Sequence, residues 1–421
     1  MNILLLSEVS AERVIGGAER MLRGHALNLC ERGHRVGLIT RAPVGDPRTV
    51  VWIQDAIERR YEVSRLNEPA FVWSSIRNSL RAFDLMASPA RPDVAVLYQS
   101  LAGLGPIRGR FRRAGAWVYM CLSLAHEEYL SRTPPAVSAA DAVRRAVNAR
   151  ARLWIERMVM RRCEAVIVMS EFMRRRVMAV HGIRNDKIRM LPGAADLSCF
   201  SPAPHRSAVR HELKLPASRT ILFTVRNLVP RMGLEHLIKA VGLLDEERPG
   251  LLLLIGGEGP LRDSLDRLIR GLGLVEHVRL LGFVPEEQLS RYYQAADLVV
   301  MPTLQLEGFG LVTVEALACG TPVLGTPVGA LPEVLSRVDP MLMAEGTDDR
   351  ALAAAIRRVL QRFRENPDEH ARLSGRGREL IAQQYNWTTH AAELEQILRD
   401  VRAKTGGAIE GASWRRKRSS M

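Results

Sequence analysis

The fold is decided by Leu251–Pro260, which reads LLLLIGGEGP, an unbroken apolar run that ends at two glycines. An apolar run without polar alternation is typical of a parallel strand that is buried on both faces. Similar runs, separated by helical periodicity, lie at Ile3–Leu6, Val36–Thr40, Val94–Tyr98, Trp117–Leu122, Val166–Met169, Ile188–Leu191, Ile221–Val225, Val278–Leu281, Leu298–Met301 and Pro322–Gly325. Their alternation with helices in both halves of the chain predicts an α/β protein with two doubly wound domains.

The chain has 421 residues, which is too long for one ordinary hydrophobic core. Ser201-Pro202-Ala203-Pro204 breaks regular structure, so we place the domain boundary after residue 204. Residues 1–204 then form the first domain and residues 205–386 the second. The Gly-, Ser- and Arg-rich residues 403–421 are predicted to be a mobile basic tail.

The net charge of +14 is concentrated in the first half. Residues 1–204 hold 31 Lys and Arg against 19 Asp and Glu, whereas residues 205–421 hold 29 against 27. This asymmetry indicates an acidic partner or an arginine-rich solvated surface. The five cysteines lack metal-binding spacing, which indicates free thiols in a reducing cytoplasm. We expect neither a signal peptide nor a membrane-spanning helix, because no basic leader and no charge-free run of roughly 18 residues is present.

Residues 306–322, LEGFGLVTVEALACGTP, place two acids around a glycine turn. The strand before it ends at Met301, and a helix is predicted to begin at Phe309 or Gly310. Unpaired amides at a helix start bind phosphate well, and glycines let the backbone approach a ligand. Glu315 would then reach a ribose, and Glu307 the hydroxyls of a group beyond the phosphates. An ordinary helix start, with acids favoured near its dipole, explains this stretch equally well.

Arginines, glycine-rich turns and one histidine follow other predicted strands. The arginines are Arg226 and Arg231, and the histidine is His126. The glycine-containing segments are Gly256–Pro260, Gly282–Pro285 and the pair Gly16-Gly17. The two arginines lie where a diphosphate leaving group would be held. Each feature alone also fits an ordinary role, in a solvated surface, a structural turn or the core. The Gly16-Gly17 pair lacks the GxGxxG spacing, so the dinucleotide fingerprint is absent.

Taken in order, these segments resemble the retaining glycosyltransferases of family four. The matching pieces are GGAER (16–20), RGH (32–34), SE (170–171), LPGAADLSCF (191–200), RNLVPRMGLEHLIKA (226–240), IGGEGPLRDSL (255–265), LLGFVPEEQLSRYYQAADLVVMP (280–302), EGFGLVTVEALACGTPVLGTPVGALPEV (307–334) and YNWTTHAAELEQIL (385–398). The resemblance spans residues 1–402, and the two glutamates separated by seven residues are its most specific element.

The resemblance implies the GT-B fold, with two Rossmann-like domains facing across a cleft and a helix over residues 387–402 that returns to the first domain. It implies transfer of a sugar from a nucleoside-diphosphate sugar, with retention at the anomeric carbon. No metal or other cofactor is expected, and the chain has no Asp-x-Asp motif. The acceptor would be a hydroxyl of a glycan, a lipid-linked molecule or a small molecule.

Site roles follow from the resemblance, position by position. Glu307 would hold donor-sugar hydroxyls, and Glu315 would hold the ribose. Backbone donors to the sugar and phosphate would come from Gly308, Phe309, Gly310 and Leu311. The base would lie between Phe283 and Val284. In the first domain, Gly16 and Gly17 would admit the diphosphate and acceptor, and His126 would contact the donor sugar near the reacting centre.

One segment departs from the family pattern. The family usually reads Gly-Arg-Leu-x-Pro-x-Lys-Gly, and alignment on the proline and final glycine puts Asn227 and Met232 at the two cationic positions. Arg226 and Arg231 each lie one place earlier. We expect these two arginines to supply the cations through a shifted backbone, because an uncompensated diphosphate in a dry site would slow the reaction severely.

Two other function classes stay open at this stage. A sugar-nucleotide epimerase on the same fold would turn over its donor without an acceptor. A basic nucleic-acid-binding protein would fit the net charge of +14, but the aromatic residues do not interleave with the basic runs, and we expect no nucleic-acid partner.

The segment 141–164 is a candidate for peripheral contact with anionic membrane on the inner face. It carries seven arginines around the apolar residues Val143, Val147, Trp154, Ile155 and Met158. At helical spacing this is a basic amphipathic pattern. An ordinary helix with its apolar face in the core is the alternative.

Overall fold

A computed structural model describes residues 1–12, 14, 16–108, 114–133 and 136–418 of the chain, without the side chains of Arg132 and residues 406–418. The chain forms two compact units. Unit 1 comprises Met1–Pro192 and Thr388–Met421, and unit 2 comprises Gly193–Trp387.

Unit 1 is built on a mainly parallel sheet with the strand order β3-β4-β2-β1-β5-β6-β7-β8. The strands are β1 Asn2–Leu6, β2 Arg35–Arg41, β3 Val50–Ile53, β4 Ala56–Tyr61, β5 Val94–Leu97, β6 Ala116–Cys121, β7 Ala165–Val168 and β8 Ile188–Met190. The helices are α1 Gly17–Glu31, α2 Glu68–Ala87, α3 Ser100–Arg108, α4 Ala125–Arg132, α5 Ala139–Arg162 and α6 Glu171–His181, and the final helix α15, Trp387–Arg418, begins at the last residue of unit 2.

Both faces of this sheet are covered, as its unbroken apolar strands predict. Along β1, Ile3 and Leu5 face a core formed with α1 and α15. Leu4 and Leu6 face the opposite core, which includes residues of α2, α3 and α5. This alternation with a period of two residues makes the sheet the middle layer of three.

Unit 2 is built on a parallel sheet with the order β11-β10-β9-β12-β13. The strands are β9 Thr220–Val225, β10 Leu251–Gly256, β11 Val278–Gly282, β12 Leu298–Met301 and β13 Val323–Gly325. The helices are α7 Arg206–Glu212, α8 Leu234–Gly242, α9 Arg262–Gly271, α10 Glu286–Ala295, α11 Leu311–Ala318, α12 Leu331–Val338, α13 Asp349–Glu365 and α14 Glu369–Gln384. Short 3₁₀ turns lie at Pro230–Met232, Arg248–Gly250 and Pro340–Leu342 in unit 2, and at Asn185–Lys187 in unit 1.

The division between the units falls after Pro192, before the predicted boundary at residue 204. The intervening segment packs on unit 2. The amide of Ala195 donates to the carbonyl of Tyr385 at 2.8 Å, and the side-chain amide of Gln294 donates to the carbonyl of Ser201 at 2.6 Å. Because these bonds hold residues 193–204 to unit 2, the Pro-rich stretch lies inside that unit rather than at its edge.

Two features differ from the sequence-based expectation. β3 and β4 form an antiparallel pair at the sheet edge that the apolar runs did not predict, because β3 is short and β4 carries three consecutive charged residues. The final helix continues through Arg418 rather than ending at residue 402. Residues 403–421 were predicted to be mobile. This prediction falls on a segment whose side chains, from residue 406 onward, lie outside the described part of the chain. No helix in the described ranges is long and apolar enough to cross a membrane.

Candidate active site

The candidate site of unit 2 lies where the strand order of its sheet reverses. Crossovers run one way from β9 to β10 and β11, and the other way to β12 and β13. In such sheets, a crevice opens at this switch point, outside the carboxyl ends of the strands. The segments that follow β9 and β12 carry Arg226, Arg231, Thr303 and Glu307. The fold therefore brings together the cations and the acid that the sequence assigned to one ligand.

Arg226, Thr303 and Glu307 form a buried cluster at this switch point. Each of the three residues is no more than 8% exposed. The Arg226 guanidinium pairs with the Glu307 carboxylate and donates to the Thr303 hydroxyl at 2.6 Å. That hydroxyl in turn donates to Glu307 Oε2 at 3.0 Å. The Nε of Arg226 is buried without a hydrogen-bond partner among the described residues, so one donor of the cluster is left over.

Arg231 also lies against the loop that carries Glu307. Its Nη1 donates to the carbonyl of Leu306 at 3.3 Å, and its backbone carbonyl accepts from the amide of Leu304 at 2.8 Å. Met232, by contrast, is buried. Gly233 has a φ of +71°, and a Cβ there would lie 1.8 Å from the carbonyl oxygen of Pro302. The turn can therefore approach the loop only with glycine at this place.

The loop after β12 is held in an unusual backbone conformation. Leu306 has a φ of +61°, which is rare for a residue with a branched side chain and marks a constrained site. The carbonyl of Glu307 accepts from the amide of Ala330 at 3.0 Å. A Cβ on Gly329 would lie 2.1 Å from that carbonyl oxygen, so the neighbouring loop fits only because residue 329 is a glycine.

The predicted helix start is α11, which begins at Leu311 after Gly310. Gly310 has a φ of +85°, which glycine adopts without cost. The first amides of a helix have no carbonyl one turn earlier to accept from them, and they carry the positive end of the helix dipole. The Gly308–Leu311 backbone follows Glu307 directly in the chain and lies at this positive end of the helix.

Glu315 has a different setting from the one that the sequence suggested. It is fully buried, and its Oε2 accepts from the hydroxyl of Tyr293 at 3.0 Å. A ribose contact would need Tyr293 or its neighbours to move. The side chain of Phe309 is also buried and packs against Gly193 and Tyr385, so it contributes packing, and only its backbone can serve a ligand. Phe283 is 41% exposed and Val284 is buried, so only the former presents its side chain to solvent.

Gly16 and Gly17 mark the start of α1 in unit 1. Gly16 caps the helix in an extended conformation, and its amide donates to Oε2 of Glu19 at 3.1 Å. A Cβ on Gly16 would meet only this carboxylate, at 3.4 Å. The described packing therefore does not require a glycine at position 16. The close approach of a ligand, which the sequence predicts, stays a hypothesis for why glycine is found there.

His126 is the second residue of α4 in unit 1. Its ring meets that of His181 edge to face, with centroids 6.2 Å apart. Burial lowers its pKa, and the nearby Glu156 carboxylate opposes that effect. Burial therefore favours the neutral form of this imidazole. Ligand atoms of His126, Glu156 and His181 lie within 4.8 Å of one another.

Comparison with known proteins decides the family. Residues 15–198 match the model described as Glycosyltransferase Family 4, and residues 206–380 match the model described as Glycosyl transferases group 1. A D-inositol 3-phosphate glycosyltransferase of Mycolicibacterium smegmatis is 30% identical over 406 residues, which cover 92% of this chain and 88% of that protein. The chain belongs to glycosyltransferase family 4. It is a hexosyltransferase, and the resemblance to family four that the sequence analysis identified is confirmed.

A second relative supports this assignment, and a solved structure supports the fold. A GDP-mannose-dependent alpha-(1-6)-phosphatidylinositol monomannoside mannosyltransferase of M. smegmatis is 30% identical over 304 residues, covering 71% of this chain and 73% of that protein. Among solved structures, the sucrose-phosphate synthase of Thermosynechococcus elongatus aligns with a TM-score of 0.79 at 24% identity, covering 96% of this chain and all of that chain. This likeness confirms the predicted GT-B fold.

Several residues beside the predicted positions were not themselves predicted from the sequence. In unit 2 they are Tyr293, Thr303 and Gly329, and in unit 1 they are Tyr119, Glu156 and His181. Thr303 and Gly329 lie in segments after strands, so the same positional signal that selected Arg226 was available for them. No local pattern marks Glu156 or Tyr293, because their roles depend on contacts with distant parts of the chain.

Proposed function

We propose that this family 4 enzyme transfers a hexose from a nucleoside-diphosphate sugar to an acceptor hydroxyl, with retention and without a metal. The observation that carries the proposal is the buried Arg226–Glu307–Thr303 cluster with its unused Nε donor. A buried cation with a spare donor, next to a helix start, suits a diphosphate. The acid beside it suits the hydroxyls of the attached sugar.

Each part of the donor then has a partner. Arg226, Arg231 and the Gly308–Leu311 amides hold the diphosphate, and Glu307 orients the sugar. The exposed ring of Phe283 lies against the base, with Val284 beneath it. Glu315 holds the ribose after it exchanges the hydroxyl of Tyr293 for those of the sugar ring. His126 contacts the donor sugar, and Gly16 and Gly17 leave room for the diphosphate and the acceptor.

The reaction proposed is substitution on one face of the sugar. The bond between the anomeric carbon and the phosphate oxygen breaks, and a bond to the acceptor oxygen forms on the same side. The acceptor proton passes to the departing phosphate oxygen. Negative charge grows on the diphosphate as the bond breaks, so Arg226 and Arg231 stabilise the transition state more than the ground state. Positioning of both substrates supplies much of the remaining rate.

The donor to test first is GDP-mannose, because a relative that is 30% identical is named for its dependence on it. D-inositol 3-phosphate and lipid-linked inositol mannosides are the first acceptors, since the relatives carry these names. We expect GDP to raise the melting temperature more than UDP or ADP does. We also expect acceptor-dependent transfer that survives excess EDTA and gives a product with the donor's anomeric configuration by NMR.

Four outcomes would contradict parts of the proposal. Donor turnover without any acceptor would indicate the epimerase. An inverted anomeric centre would rule out retention. Loss of transfer in EDTA, restored by a divalent cation, would show that a metal takes part. If no nucleotide sugar from a GDP, UDP and ADP panel is turned over with any acceptor, the assignment of the donor class is wrong.

We also propose that unit 1 docks on anionic membrane through one face of α5. Val143, Val147 and Trp154 are each at least 58% exposed, and Arg150 and Arg161 fall on the same face at helical spacing. Ile155, which the sequence grouped with them, is buried in the core. The outer face therefore combines apolar and cationic side chains apart from the packed face, as an interfacial helix does. This location would place the enzyme on the cytoplasmic side of a membrane.

Co-sedimentation with liposomes tests the docking proposal. Vesicles that contain phosphatidylglycerol should bind the enzyme, neutral phosphatidylcholine vesicles should not, and binding should weaken as salt is raised. Trp154→Ala should reduce binding several-fold. Trp52→Ala is the matched control, because Trp52 is 67% exposed on an edge strand away from this helix. Equal binding to neutral vesicles, or equal loss in the two variants, would contradict the proposal.

A further inference from the structure

The carboxylate of Glu156 holds together three elements around His126. Glu156 extends from α5 and is fully buried. The hydroxyl of Tyr119 in β6 donates to its Oε1 at 2.9 Å, and Nε2 of His181, the last residue of α6, donates to its Oε2 at 3.0 Å. The amide of Ala125 donates to both oxygens, at 3.2 and 3.0 Å. Ala125 directly precedes His126.

Ala125 is the first residue of α4, so Glu156 caps this helix from outside. The N-cap residue Leu124 provides no side-chain hydrogen bond. A carboxylate next to the first amides of a helix is favoured by both the hydrogen bond and the helix dipole. Because α4 has only eight residues, the direction of its first turn depends strongly on this contact.

The ring of His126 is oriented by its surroundings rather than by a hydrogen bond from Nδ1. That atom is buried without a partner among the described residues. The ring packs edge to face on His181, at 84° between planes. His181 is itself held by Glu156. Glu156 thus acts on His126 by two routes, through the backbone of Ala125 and through the ring of His181.

We propose that Glu156 is a positioning residue that sets the orientation of His126 for sugar transfer. The inference rests on the proposed function in one respect, the contact of His126 with the donor sugar. Nothing in the family comparison assigns a role to Glu156. The alternative is a metal site made by His126, Glu156 and His181. It is disfavoured because both oxygens of Glu156 already accept hydrogen bonds, which a metal would have to displace.

A double-mutant cycle tests the proposal in the transfer assay. Glu156→Gln keeps the shape but places an NH₂ group among donors, and we expect kcat to fall roughly 10- to 100-fold, the size of a 1 Å misplacement. KM for the donor should change less than kcat. In the His126→Ala background, Glu156→Gln should cause no further loss, because the residue that it positions is gone. Losses that multiply in the double variant would overturn the proposal.

Tyr119→Phe is a milder substitution for the same double-mutant cycle, and it keeps the proposal testable if Glu156→Gln folds poorly. It removes one donor from a carboxylate that keeps its charge and its contacts with Ala125 and His181. We expect a several-fold fall in kcat that is also absent in the His126→Ala background. An equal loss in both backgrounds would show that this buried cluster serves only the stability of unit 1.

An NMR titration of the His126 ring separates this proposal from the proposed function, because it needs no activity. The groups that face His126 are Glu156 from α5, His181 and Arg176 from α6, and Glu127 on its own helix. The Glu156 carboxylate raises the pKa of His126. Its replacement by glutamine should therefore lower the midpoint and shift the ring signals.

The outcomes of the two experiments are distinct. Unchanged ring signals and midpoint in Glu156→Gln would overturn the positioning role, whatever the activity shows. Shifted signals in an enzyme that transfers no sugar would leave the positioning role standing and contradict the proposed function. Loss of the His126 and His181 signals on addition of zinc, in wild type but not in Glu156→Gln, would show a metal site and overturn the proposal.

Discussion

The acidic residue near the switch point of each sheet has different hydrogen-bond partners in the two units. In unit 1 the strand order reverses between β1 and β5, and Glu8 follows β1. Its Oε1 accepts from the amide of Leu101 at 3.1 Å, while Gln99 accepts from the amide of Glu8 at 2.8 Å. In unit 2 the acid at the switch point is Glu307, which follows β12 and is held by the side chains of Arg226 and Thr303.

From this difference we expect a structural role for Glu8 and a ligand-binding role for Glu307. Glu8 caps the start of α3, and the nearest guanidinium nitrogen, on Arg41, lies 3.8 Å away. Burial raises the pKa of Glu8. Glu307 has a full ion pair with a cation that keeps an unused donor. A ligand that brings both hydroxyls and negative charge can replace interactions at Glu307, whereas at Glu8 it would have to break a helix cap.

The largest expected effect is the loss of activity in Glu307→Ala. Transfer should fall roughly 100-fold or more, because a positioning contact beside a developing anion is lost. Glu8→Ala should instead lower stability by about 1 kcal/mol, as expected for a lost cap, with only a small change in kcat. Thermal melts and steady-state kinetics on both variants check this contrast.

Gln305→Ala is the matched control for that contrast, because Gln305 is an exposed residue of the same loop. It should be silent in both measurements. If Glu8→Ala abolishes transfer at unchanged stability, while Glu307→Ala remains active, the comparison between the two switch points is reversed.

The second effect concerns the position where the family usually has lysine. Met232 is only 6% exposed, so Met232→Lys would place an ammonium group in the core. We expect a loss of about 2 kcal/mol or more in the free energy of unfolding. Met232→Leu should cost less than about 1.5 kcal/mol, because it conserves volume and polarity. A fully stable Met232→Lys enzyme would mean that residue 232 faces the ligand after all, and that the shifted-cation interpretation is wrong.

The third effect tests the cation that replaces that lysine. Arg231→Met should reduce kcat roughly 10- to 100-fold, the cost of about 1.5–3 kcal/mol for a charged hydrogen bond. The melting temperature should change little, because Arg231 is half-buried and its Nη1 hydrogen bond to the Leu306 carbonyl is long at 3.3 Å. Arg267→Met, at an exposed position of α9, is a control that should keep transfer. Equal activity of Arg231→Met and wild type would make Arg231 a surface residue only.

The sequence was sufficient for the architecture because each buried parallel strand carries its own signal. The runs at Ile3–Leu6 and Leu251–Ile255 coincide with β1 and β10. β3 and β4 were missed because β3 has only four residues and the charged Glu58, Arg59 and Arg60 interrupt the apolar pattern of β4. Edge strands with one exposed face carry a weaker signal than central strands.

The site could be predicted only in part. Position after a strand correctly brought Arg226 and Glu307 to one place, although they are far apart in the chain. Their direct pairing was not predicted, since each was assigned to a different part of the ligand. Glu156 and Tyr293 carry no local signal, because a buried residue's partners are set by packing across the fold rather than by neighbours in sequence.

The smallest effect concerns Glu315, the acid that the sequence assigned to a ribose and the structure gives to Tyr293. Tyr293→Phe removes the hydroxyl that donates to Glu315 Oε2 at 3.0 Å. Both residues are fully buried, so the folded state should lose about 1 kcal/mol. If Glu315 binds ribose, the variant no longer has to break this hydrogen bond and should bind the preferred nucleoside diphosphate a few-fold more tightly. The 2′,3′-dideoxy analogue should gain nothing, because it has no diol to offer. Tyr292→Phe is the control, because Tyr292 lies in the same helix as Tyr293 and its ring stacks on Phe223 of β9. Equal affinity of Tyr293→Phe and wild type for the ribonucleotide would show that Glu315 supports α10 and α11 but does not touch the donor.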